Sequence, residues 1–375
     1  MIMEVSEKIF AANVKTLRKA KKLSQSELAE KLNFTEKAVS KWECGEYVPS
    51  IHVLFKIAEE FGVSVENLFE ENSGIYFLGI DGGGTKTSFL LTDELGNRVR
   101  SEVAPGCNPF DIGEDESKKV LSDGIRKVCG NVPFQRVVCF AGIAGGTVGG
   151  HKKLFANFLK TFGFKAAYNG SDNENVVCGG LGADDGVTLI TGTGVCAYVQ
   201  KNRQIKRVSG WGYFFDEGGS AFNFGREAIS FACGVEDGRF FESELYRQVK
   251  SKNGESVESI VQKSYDAGKK YVASFADCVF KSAAAGDEAA AEIIKRNTKV
   301  VAGVLETCAK VIGTEKVKTV IAGGLTKESA FINYIKSSLS RPENFEISVL
   351  SGEPVEGAVR LAEYYYKKEN ENANR

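Results

Sequence analysis

Two short segments rich in glycine and threonine have the composition of phosphate-binding hairpins. The first is DGGGTKT, Asp81–Thr87, and the second is TGTG, Thr191–Gly194. Glycine lets the backbone approach a phosphate without a clash from Cβ, and successive N–H groups can form a nest for an anion. Two such hairpins could clamp the β- and γ-phosphates of ATP from both sides. The residues predicted to contact the nucleotide here are Gly82, Gly83, Gly84, Thr85, Lys86, Thr87, Thr191, Gly192, Thr193 and Gly194.

These segments match neither of the two best-known nucleotide motifs. A P-loop requires GxxxxGK[ST], which DGGGTKT does not provide. A dinucleotide-binding turn opens a helix, whereas the strand-like KTSFLLTD follows the first segment. The sequence therefore indicates nucleotide binding at turns between strands, although each segment alone could be an ordinary glycine-rich turn.

Two aspartates stand where a phosphoryl transfer needs carboxylates. Asp81 ends the buried strand IYFLGID and could hold Mg²⁺ through water, because Mg²⁺ gives up its hydration shell reluctantly. Asp172, in GSDNENVVCGG, begins a predicted helix and could accept a proton from a hydroxyl group that attacks the γ-phosphate. The alternative role for Asp172 is a simple N-cap of that helix.

The elements that must position these residues occur in the same order twice. IYFLGID, KTSFLLTD and NRVRSEV are predicted strands, followed by a helix over 115–130 and the strand QRVVCFAGIAG. A second set starts at Asp185 with GVTLITGTG, VCAYVQ and QIKRVSG, and continues through helices to VKTVIAGGL. This repetition predicts two α/β lobes, at 75–184 and 185–375, and the last helix is expected to pack back on the first lobe.

The first seventy residues form a separate, all-α unit in this prediction. Ser24 followed by Glu27 is a capping box for one helix, and Thr35 can cap the next helix. Two short helices joined by a three-residue turn describe a helix-turn-helix. The domain is predicted at 1–70, with a short polar linker at 71–74.

The strings SQxxLA, VSxWE and YxPS resemble the Cro-type (Xre-like) helix-turn-helix family. The resemblance implies that the helix at 35–43 enters the major groove of double-stranded DNA. It also implies a homodimer, since such domains usually read paired half-sites. The residues it turns toward DNA are Gln25, Thr35, Glu36, Lys37, Ser40 and Lys41.

A cluster of basic residues beside that helix could contact DNA phosphates. The cluster consists of Lys15, Arg18, Lys19, Lys21 and Lys22. Residues 1–70 nevertheless hold ten basic and eleven acidic side chains. The alternative is therefore a solvated charged face on a protein-binding helical domain.

The segment GWGYFFDEGGSAFNFGREAI, at 210–229, resembles the GWGxxxGDEGS segment of N-acetylglucosamine kinases and the wider BadF/BadG-type ATPases. The resemblance covers 75–365 and includes DGGGTKT, SDNEN, TGTG, AGGL and EPVEGAVRLA. It implies the actin-like ATPase fold, with two ribonuclease-H-like lobes after the helical domain, and ATP with Mg²⁺ as cofactors. Asp172 resembles the catalytic base, and the AGGL turn, with Gly323 and Gly324, would accommodate adenosine.

The same resemblance implies the residues that contact a sugar. They are Asn108, Trp211, Gly212, Asp216 and Glu217. This chain departs from the family pattern at DEGGS, where Glu217 replaces the sugar-binding aspartate and Asp216 replaces a glycine. The longer carboxylate moves the anchor by about 1.5 Å, one C–C bond, which puts the identity of the sugar in question.

The composition limits the remaining possibilities. The net charge of −1 gives no global basic field, so DNA binding must come from a local patch. Nine cysteines without a CxxC pair predict reduced thiols, and only two histidines, His52 and His151, disfavour histidine metal sites and histidine-dependent nucleophiles. No apolar run reaches membrane-spanning length and the first residues do not resemble a signal peptide, so a cytoplasmic protein is expected.

Three functions fit these features. The first is an ATP-dependent kinase that phosphorylates an N-acetylated amino sugar, N-acetylglucosamine or N-acetylmuramic acid, at the 6-hydroxyl. The second is a transcription regulator that senses sugar and nucleotide with little turnover. The third, an activator ATPase of acyl-CoA dehydratases, is disfavoured because no cysteine spacing suits an iron–sulfur cluster.

Overall fold

Four helices form the N-terminal domain. A computed structural model describes residues 2–21, 23–69, 74–252, 254, 256–328 and 330–373. Lys22 and residues 71–73 of the predicted linker lie outside the described residues. The helices are α1 (Ile2–Ala20), α2 (Gln25–Leu32), α3 (Glu36–Glu43) and α4 (Ile51–Phe61). They enclose a core that includes the fully buried Phe10, Leu28, Trp42 and Ile57.

The turn between α2 and α3 has the predicted capping residues. Ser24 Oγ accepts a hydrogen bond from Glu27 N at 3.1 Å, and Glu27 Oε2 accepts one from Ser24 N at 2.6 Å. Asn33 ends α2 in the left-handed conformation with φ 58°, and Thr35 Oγ1 accepts from Ala38 N at 3.3 Å. The helix-turn-helix geometry is therefore fixed by local residues, as predicted.

Two five-stranded mixed sheets of identical topology follow. Their strands are β1 (Tyr76–Gly82), β2 (Lys86–Thr92), β3 (Arg98–Pro105), β4 (Val137–Ile143), β5 (Ala166–Gly170), β6 (Gly186–Thr191), β7 (Val195–Lys201), β8 (Gln204–Ser209), β9 (Val317–Ala322) and β10 (Phe345–Val349). The orders are β3-β2-β1-β4-β5 and β8-β7-β6-β9-β10. In each sheet the first three strands are antiparallel and the last three are parallel. The predicted structural duplication and the two-lobed α/β fold are confirmed.

Eleven further helices among the described residues cover the sheets. They are α5 (Pro109–Ile112), α6 (Glu114–Cys129), α7 (His151–Lys160), α8 (Asp172–Leu181), α9 (Ala221–Glu236), α10 (Glu244–Ser251), α11 (Val257–Ala273), α12 (Ala276–Ala284), α13 (Glu288–Ile312), α14 (Phe331–Ser338) and α15 (Pro354–Ala373). No described helix has the length and apolar character needed to cross a membrane.

Two helices, α8 and α15, connect the two lobes or cover a sheet. α15 buries Val355 and Val359 on the first sheet, beside Phe77 and Phe140. α8 buries Val177 and other side chains against Val320 of the second sheet. α8 therefore contacts both sheets, while α15 lies on the face of the first sheet although it follows the second sheet in the chain.

Two glycines allow this close approach. A Cβ on Gly79 of β1 would lie 2.6 Å from Val355 O, and a Cβ on Gly357 of α15 would lie 1.9 Å from Asn175 O. Only hydrogen fits at these positions, so the contact of α15 with β1 and α8 depends on both glycines.

We expect Gly357→Ala to lower the free energy of unfolding by about 1–3 kcal/mol, because the added methyl overpacks the α8–α15 contact. The matched control is Gly303→Ala in α13, where an added Cβ would meet nothing within 4 Å. That variant should be stabilised by about 0.5–1 kcal/mol through helix propensity. Urea unfolding of both variants measures the difference, and equal shifts would contradict the packing argument.

Candidate functional site

The first glycine-rich hairpin joins β1 and β2. Gly83 N donates to Lys86 O at 3.0 Å, and the next turn packs against it, with Cys107 N donating to Gly83 O at 3.0 Å. Asn108 lies beside this hairpin and caps α5, because its Oδ1 accepts from Phe110 N at 3.1 Å. The predicted phosphate hairpin and the predicted sugar contact Asn108 are therefore neighbours.

The second hairpin and the AGGL turn touch each other at one edge of the second sheet. Gly192 N donates to Gly194 O at 2.9 Å within the TGTG hairpin. Gly323 follows β9 with φ 103°, and a Cβ there would lie 2.2 Å from Thr191 O. A Cβ on Gly192 would lie 3.7 Å from Gly324 N. The structure thus brings together two predicted nucleotide segments that are about 130 residues apart in the chain.

Asp81 and Asp172 come together through α8. Asp81 is the second-last residue of β1. Asn175 Nδ2 donates a hydrogen bond to Asp81 Oδ1 at 2.8 Å. Asn175 also donates to the carbonyl of Ile80. Asp172 precedes Asn175 by one helical turn, so both side chains lie on the same face of α8. Sequence reasoning missed Asn175, although it stands in the SDNEN string.

The alternative role of Asp172 as a helix cap is wrong. Ser171 is the N-cap of α8, and its side chain accepts from Asn173 N at 3.2 Å. Glu174 Oε1 completes the capping box by accepting from Ser171 N at 3.0 Å. Ser171 and Glu174 therefore form the capping box, while the carboxylate of Asp172 accepts a hydrogen bond from Ser171 Oγ at 3.2 Å and keeps further acceptor capacity.

Burial raises the pKa of both aspartates. The pKa of Asp81 rises to about 6, chiefly through burial and further through the nearby charge of Asp172, while the hydrogen bond from Asn175 acts in the opposite direction. Burial also raises the pKa of Asp172, against hydrogen bonds from Ser171 and backbone N–H groups. Two half-buried carboxylates of like charge favour a cation beside them.

This arrangement fits a hydrated Mg²⁺ that also contacts phosphates. Within the described ranges, no group of three or more His, Cys, Asp or Glu side chains could hold a metal. Asn175 Oδ1, beside Asp81, is buried without a hydrogen-bond partner. One carboxylate, with water and phosphate oxygens as the other ligands, is a common way for proteins to bind Mg²⁺.

The GWG segment is a loop held by Asp216. Its carboxylate oxygens accept from Trp211 N at 2.9 Å and from Gly212 N at 3.0 Å. The Trp211 ring is 71% exposed, and the guanidinium of Arg207 lies 4.2 Å from its centroid. The carboxylate of Glu217 is exposed and has no hydrogen bond or ion pair with a described residue. Asp216 therefore stabilises the loop, and Glu217 is left free for a ligand.

A lysine of the second lobe reaches the first hairpin. α11 is interrupted at Gly268, which has φ 69° and ψ −159°. Beyond this kink, Lys270 Nζ donates to Thr85 Oγ1 at 3.2 Å. Lys270 therefore places a second positive charge, besides that of Lys86, at the predicted phosphate site. Sequence reasoning missed it because Lys270 belongs to no motif.

The helix-turn-helix presents α3 to solvent. Thr35, Glu36 and Lys37 are exposed at its start, while Ser40 and Lys41 are half-buried. Lys41 Nζ lies 3.0 Å from Glu46 Oε2. This polar face could lie in a DNA groove.

One expected phosphate contact is wrong. Arg18 is buried, and its Nε and Nη2 donate to the Glu43 carboxylate at 2.6 and 2.8 Å. Gln25 Nε2 also donates to Glu43 Oε2, at 2.8 Å. The glutamate of the VSxWE string therefore forms an internal ion pair, and Arg18 is not available to DNA.

The nine cysteines are unpaired, as predicted, and six of them are buried. The three that are not fully buried are Cys44, Cys196 and Cys233.

A sequence model of the BadF/BadG/BcrA/BcrD ATPase family matches residues 78–362, more than half of the chain. The chain belongs to this family. A helix-turn-helix model matches residues 14–68. The chain is thus an ATPase-family enzyme with a helix-turn-helix domain, and both resemblances drawn from its motifs are confirmed.

Curated relatives and a solved structure match most of the chain. An N-acetylmuramic acid/N-acetylglucosamine kinase of Clostridium acetobutylicum is 27% identical over 272 residues, 69% of this chain and 87% of the relative. An N-acetyl-D-glucosamine kinase of Dictyostelium discoideum is 26% identical over 310 residues, 76% of this chain and 97% of the relative. A structure from Chromobacterium violaceum, described as an N-acetylglucosamine kinase, has a TM-score of 0.63 at 19% identity over 77% of this chain and 99% of that chain. This last likeness confirms the fold.

The raised pKa of Asp81 predicts that its ionised carboxylate destabilises the ATPase fold. Asp81→Asn should raise the free energy of unfolding at pH 7.5 by about 1–3 kcal/mol, since one pKa unit corresponds to about 1.4 kcal/mol. The carboxyl group of Asp81 keeps its proton up to about pH 6 in the folded wild-type chain, but only up to about pH 3.8 in the unfolded chain. The contribution of Asp81 to wild-type stability therefore falls between pH 4 and 6, and the gain from asparagine grows over the same window.

Urea unfolding between pH 4.5 and 7.5, without Mg²⁺ or nucleotide, measures this gain. Asp123→Asn, on an exposed position of α6, is the control and should change little at any pH. A gain for Asp81→Asn that is independent of pH would show that burial of the charge is not its cause.

Proposed function

We propose that this chain is a kinase that transfers the γ-phosphoryl group of ATP to a hydroxyl of an N-acetylated amino sugar. The observation that carries the proposal is the pair of half-buried carboxylates, Asp81 and Asp172, at the edge where the phosphate hairpin lies. The names of the Clostridium and Dictyostelium relatives support N-acetylglucosamine or N-acetylmuramic acid as the acceptor. The 6-hydroxyl is the proposed position.

Asp172 is the proposed general base. It would take the proton of the sugar hydroxyl while the sugar oxygen forms a bond to the γ-phosphorus and the bond to the β–γ bridging oxygen breaks, releasing ADP. A carboxylate whose pKa is raised by burial is a stronger base than an exposed one. Asp81 would hold hydrated Mg²⁺, whose charge offsets that of the phosphates.

The nucleotide would be held by both lobes. N–H groups of the two hairpins would bind the phosphates, and Lys86 and Lys270 would add positive charge. Gly323 and Gly324 would border the adenosine. Because Lys270 belongs to the second lobe and contacts Thr85 in the first, its bond to a phosphate would favour closure of the lobes.

The sugar would lie between Asn108 and the GWG loop. Glu217 is its proposed carboxylate anchor because Asp216 already binds the backbone of Trp211 and Gly212. A glutamate in place of an aspartate reaches further by about 1.5 Å, so the accepted sugar should differ in fit from one held by aspartate.

Two substitutions separate these roles. Asp172→Asn should lower kcat by about 10²–10⁴-fold with sugar affinity nearly unchanged, because a base acts in the transition state.

Glu217→Gln should weaken sugar binding but not ATP binding. A coupled assay of ADP release with a panel of amino sugars measures kcat, and calorimetry measures the two affinities. Wild-type kcat in Asp172→Asn, or unchanged sugar affinity in Glu217→Gln, would remove that residue from the mechanism.

We further propose that residues 1–70 bind double-stranded DNA, and that sugar and nucleotide regulate this binding. The exposed polar start of α3 and the match of residues 14–68 to a helix-turn-helix support it. Lobe closure would alter the attachment of the helical domain or a dimer surface, and thereby the spacing of half-sites. A homodimer and a cytoplasmic location stay predictions. A sensor with little turnover is the second candidate, favoured by the presence of the DNA-binding fold.

Sugar with a non-hydrolysable ATP analogue should change DNA affinity by about 5–150-fold, the usual range of allosteric coupling. The probe is a duplex selected from a random library with the wild-type chain, titrated with and without ligands. Lys37→Ala with Lys41→Ala should abolish DNA binding and leave kinase turnover intact, whereas Lys56→Ala, which removes one exposed positive charge from α4, serves as the control and should keep DNA binding. Identical titrations with and without ligands would mean two independent functions.

A further inference from the structure

A basic pocket lies outside the proposed catalytic cleft. It is a cavity of about 250 Å³ between the end of α8, the β7–β8 turn and α15. The side chains that matter for the argument are Arg203, Arg360, Lys367, Glu363, Tyr364 and Cys178. Three cations and one carboxylate therefore line one cavity.

The pocket is far from the phosphate hairpins. β7 begins at Val195, next to the TGTG hairpin, and ends at Lys201, next to the pocket. A seven-residue antiparallel strand is roughly 20–24 Å long. The pocket is therefore not part of the nucleotide site.

Both lobes contribute to its walls. Arg203 belongs to the turn that joins two strands of the second sheet. Arg360 and Lys367 belong to α15, which packs on the first sheet. A ligand that contacts all three would be sensitive to the relative position of the lobes.

The positive charge of the pocket is not neutralised within the described part of the chain. Arg203, Arg360 and Lys367 form no ion pair there, although Arg360 Nη1 donates to Gly179 O at 3.1 Å, and two acidic residues between α8 and β6 are bonded to other groups. Asp184 pairs with Lys318 at 2.7 Å, and Asp185 accepts from Asn202 N at 2.7 Å. Only Glu363 faces the three cations from the pocket wall.

Arg203 holds a backbone conformation that favours glycine. Asn202 and Arg203 have φ values of 50° and 59°, as in a two-residue hairpin turn whose second position is usually glycine. A non-glycine residue there costs about 1–2 kcal/mol. The guanidinium lies 4.5 Å from the centroid of the Tyr364 ring, which fixes its plane at the pocket. Arg203 therefore lowers the stability of the turn, and the same residue places its planar guanidinium in the cavity.

We propose that this pocket binds the phosphate group of a small phosphate monoester, and that binding shifts the arrangement of the two lobes. Two arginines and a lysine against one carboxylate match a dianion, and a guanidinium can bind phosphate through two hydrogen bonds. The cavity is slightly smaller than a typical ligand pocket, which suits a phosphorylated monosaccharide. The monoester that we propose is the amino-sugar phosphate that the kinase would release. This choice of ligand rests on the proposed kinase function.

The test uses the full chain with its cleft saturated by sugar and a non-hydrolysable ATP analogue, so that only binding outside the cleft is measured. Calorimetric titrations use N-acetylglucosamine 6-phosphate, inorganic phosphate and, as a neutral control, N-acetylglucosamine. Wild-type chain should bind the monoester, inorganic phosphate more weakly, and the neutral sugar not at all. None of these measurements requires turnover, so the pocket can be confirmed even if the chain has no kinase activity.

Arg203→Gly is the decisive variant. It should be as stable as the wild type or more stable, because glycine accepts φ near 60°, and yet lose at least tenfold in monoester affinity. Lys206→Gln removes a charge from the same hairpin, outside the pocket lining, and should keep wild-type affinity.

Unchanged monoester affinity in Arg203→Gly would overturn the proposal, and so would any one of three further results. The first is a wild-type chain that does not bind the monoester under these conditions. The second is an equal loss of affinity in Lys206→Gln, which would indicate a general charge effect. The third is displacement of the monoester by duplex DNA at equal phosphate concentration in a variant with Lys37→Ala and Lys41→Ala, which would assign the surface to nucleic acid.

Discussion

The close packing of α8 against β1, β4 and α15 is the constraint on which the geometry of the candidate site depends. A Cβ on Gly142 of β4 would lie 2.3 Å from Asn175 Oδ1, so glycine is needed there for the asparagine to reach Asp81. Gly357 allows α15 to cross α8 from the other side. Because α8 is fixed on both faces, Asp172 at its start is held at a set distance from β1, which carries Asp81. A small change in this helix contact would move Asp172, the proposed base, relative to the predicted phosphate hairpin.

The same packing has an electrostatic consequence. Asp172 lies at the N-terminus of α8, where the helix dipole favours a carboxylate. Asp81 lies at the end of a strand, and its main favourable contact is the amide of Asn175. The two aspartates are therefore stabilised unequally although both are half-buried. An empty site with this charge pattern is less stable than one that holds a cation, so binding and folding are linked at these residues.

The sequence allowed the prediction of features whose physical cause is local. Ser24 and Thr35 cap helices through neighbours three residues away, and the glycine-rich turns follow from strand patterns on either side. Contacts between distant residues could not be derived in this way. The Asn175–Asp81 bond spans 94 residues and the Lys270–Thr85 bond spans 185.

Arg18 illustrates a different limit, because a basic residue beside a DNA-binding helix has the same sequence signature whether it faces solvent or pairs with a buried glutamate. The buried partner Glu43 lies 25 positions away and decides between the two. Burial of Asp172 is likewise a product of tertiary packing, but its release from the capping role could have been read from Ser171 and Glu174, which form a capping box in SDNEN.

The position of α15 has a consequence for synthesis on the ribosome. Its apolar side chains cover β1, which begins at Tyr76, but the helix itself begins only at Pro354. At about 5–20 residues per second, β1 leaves the ribosome roughly 15–60 s before its covering helix. During this interval Phe77 and Phe140 lack their final neighbours, whereas the N-terminal helices already have their complete core. The first sheet is therefore a natural client for chaperones that shield nascent apolar surface until the chain is finished.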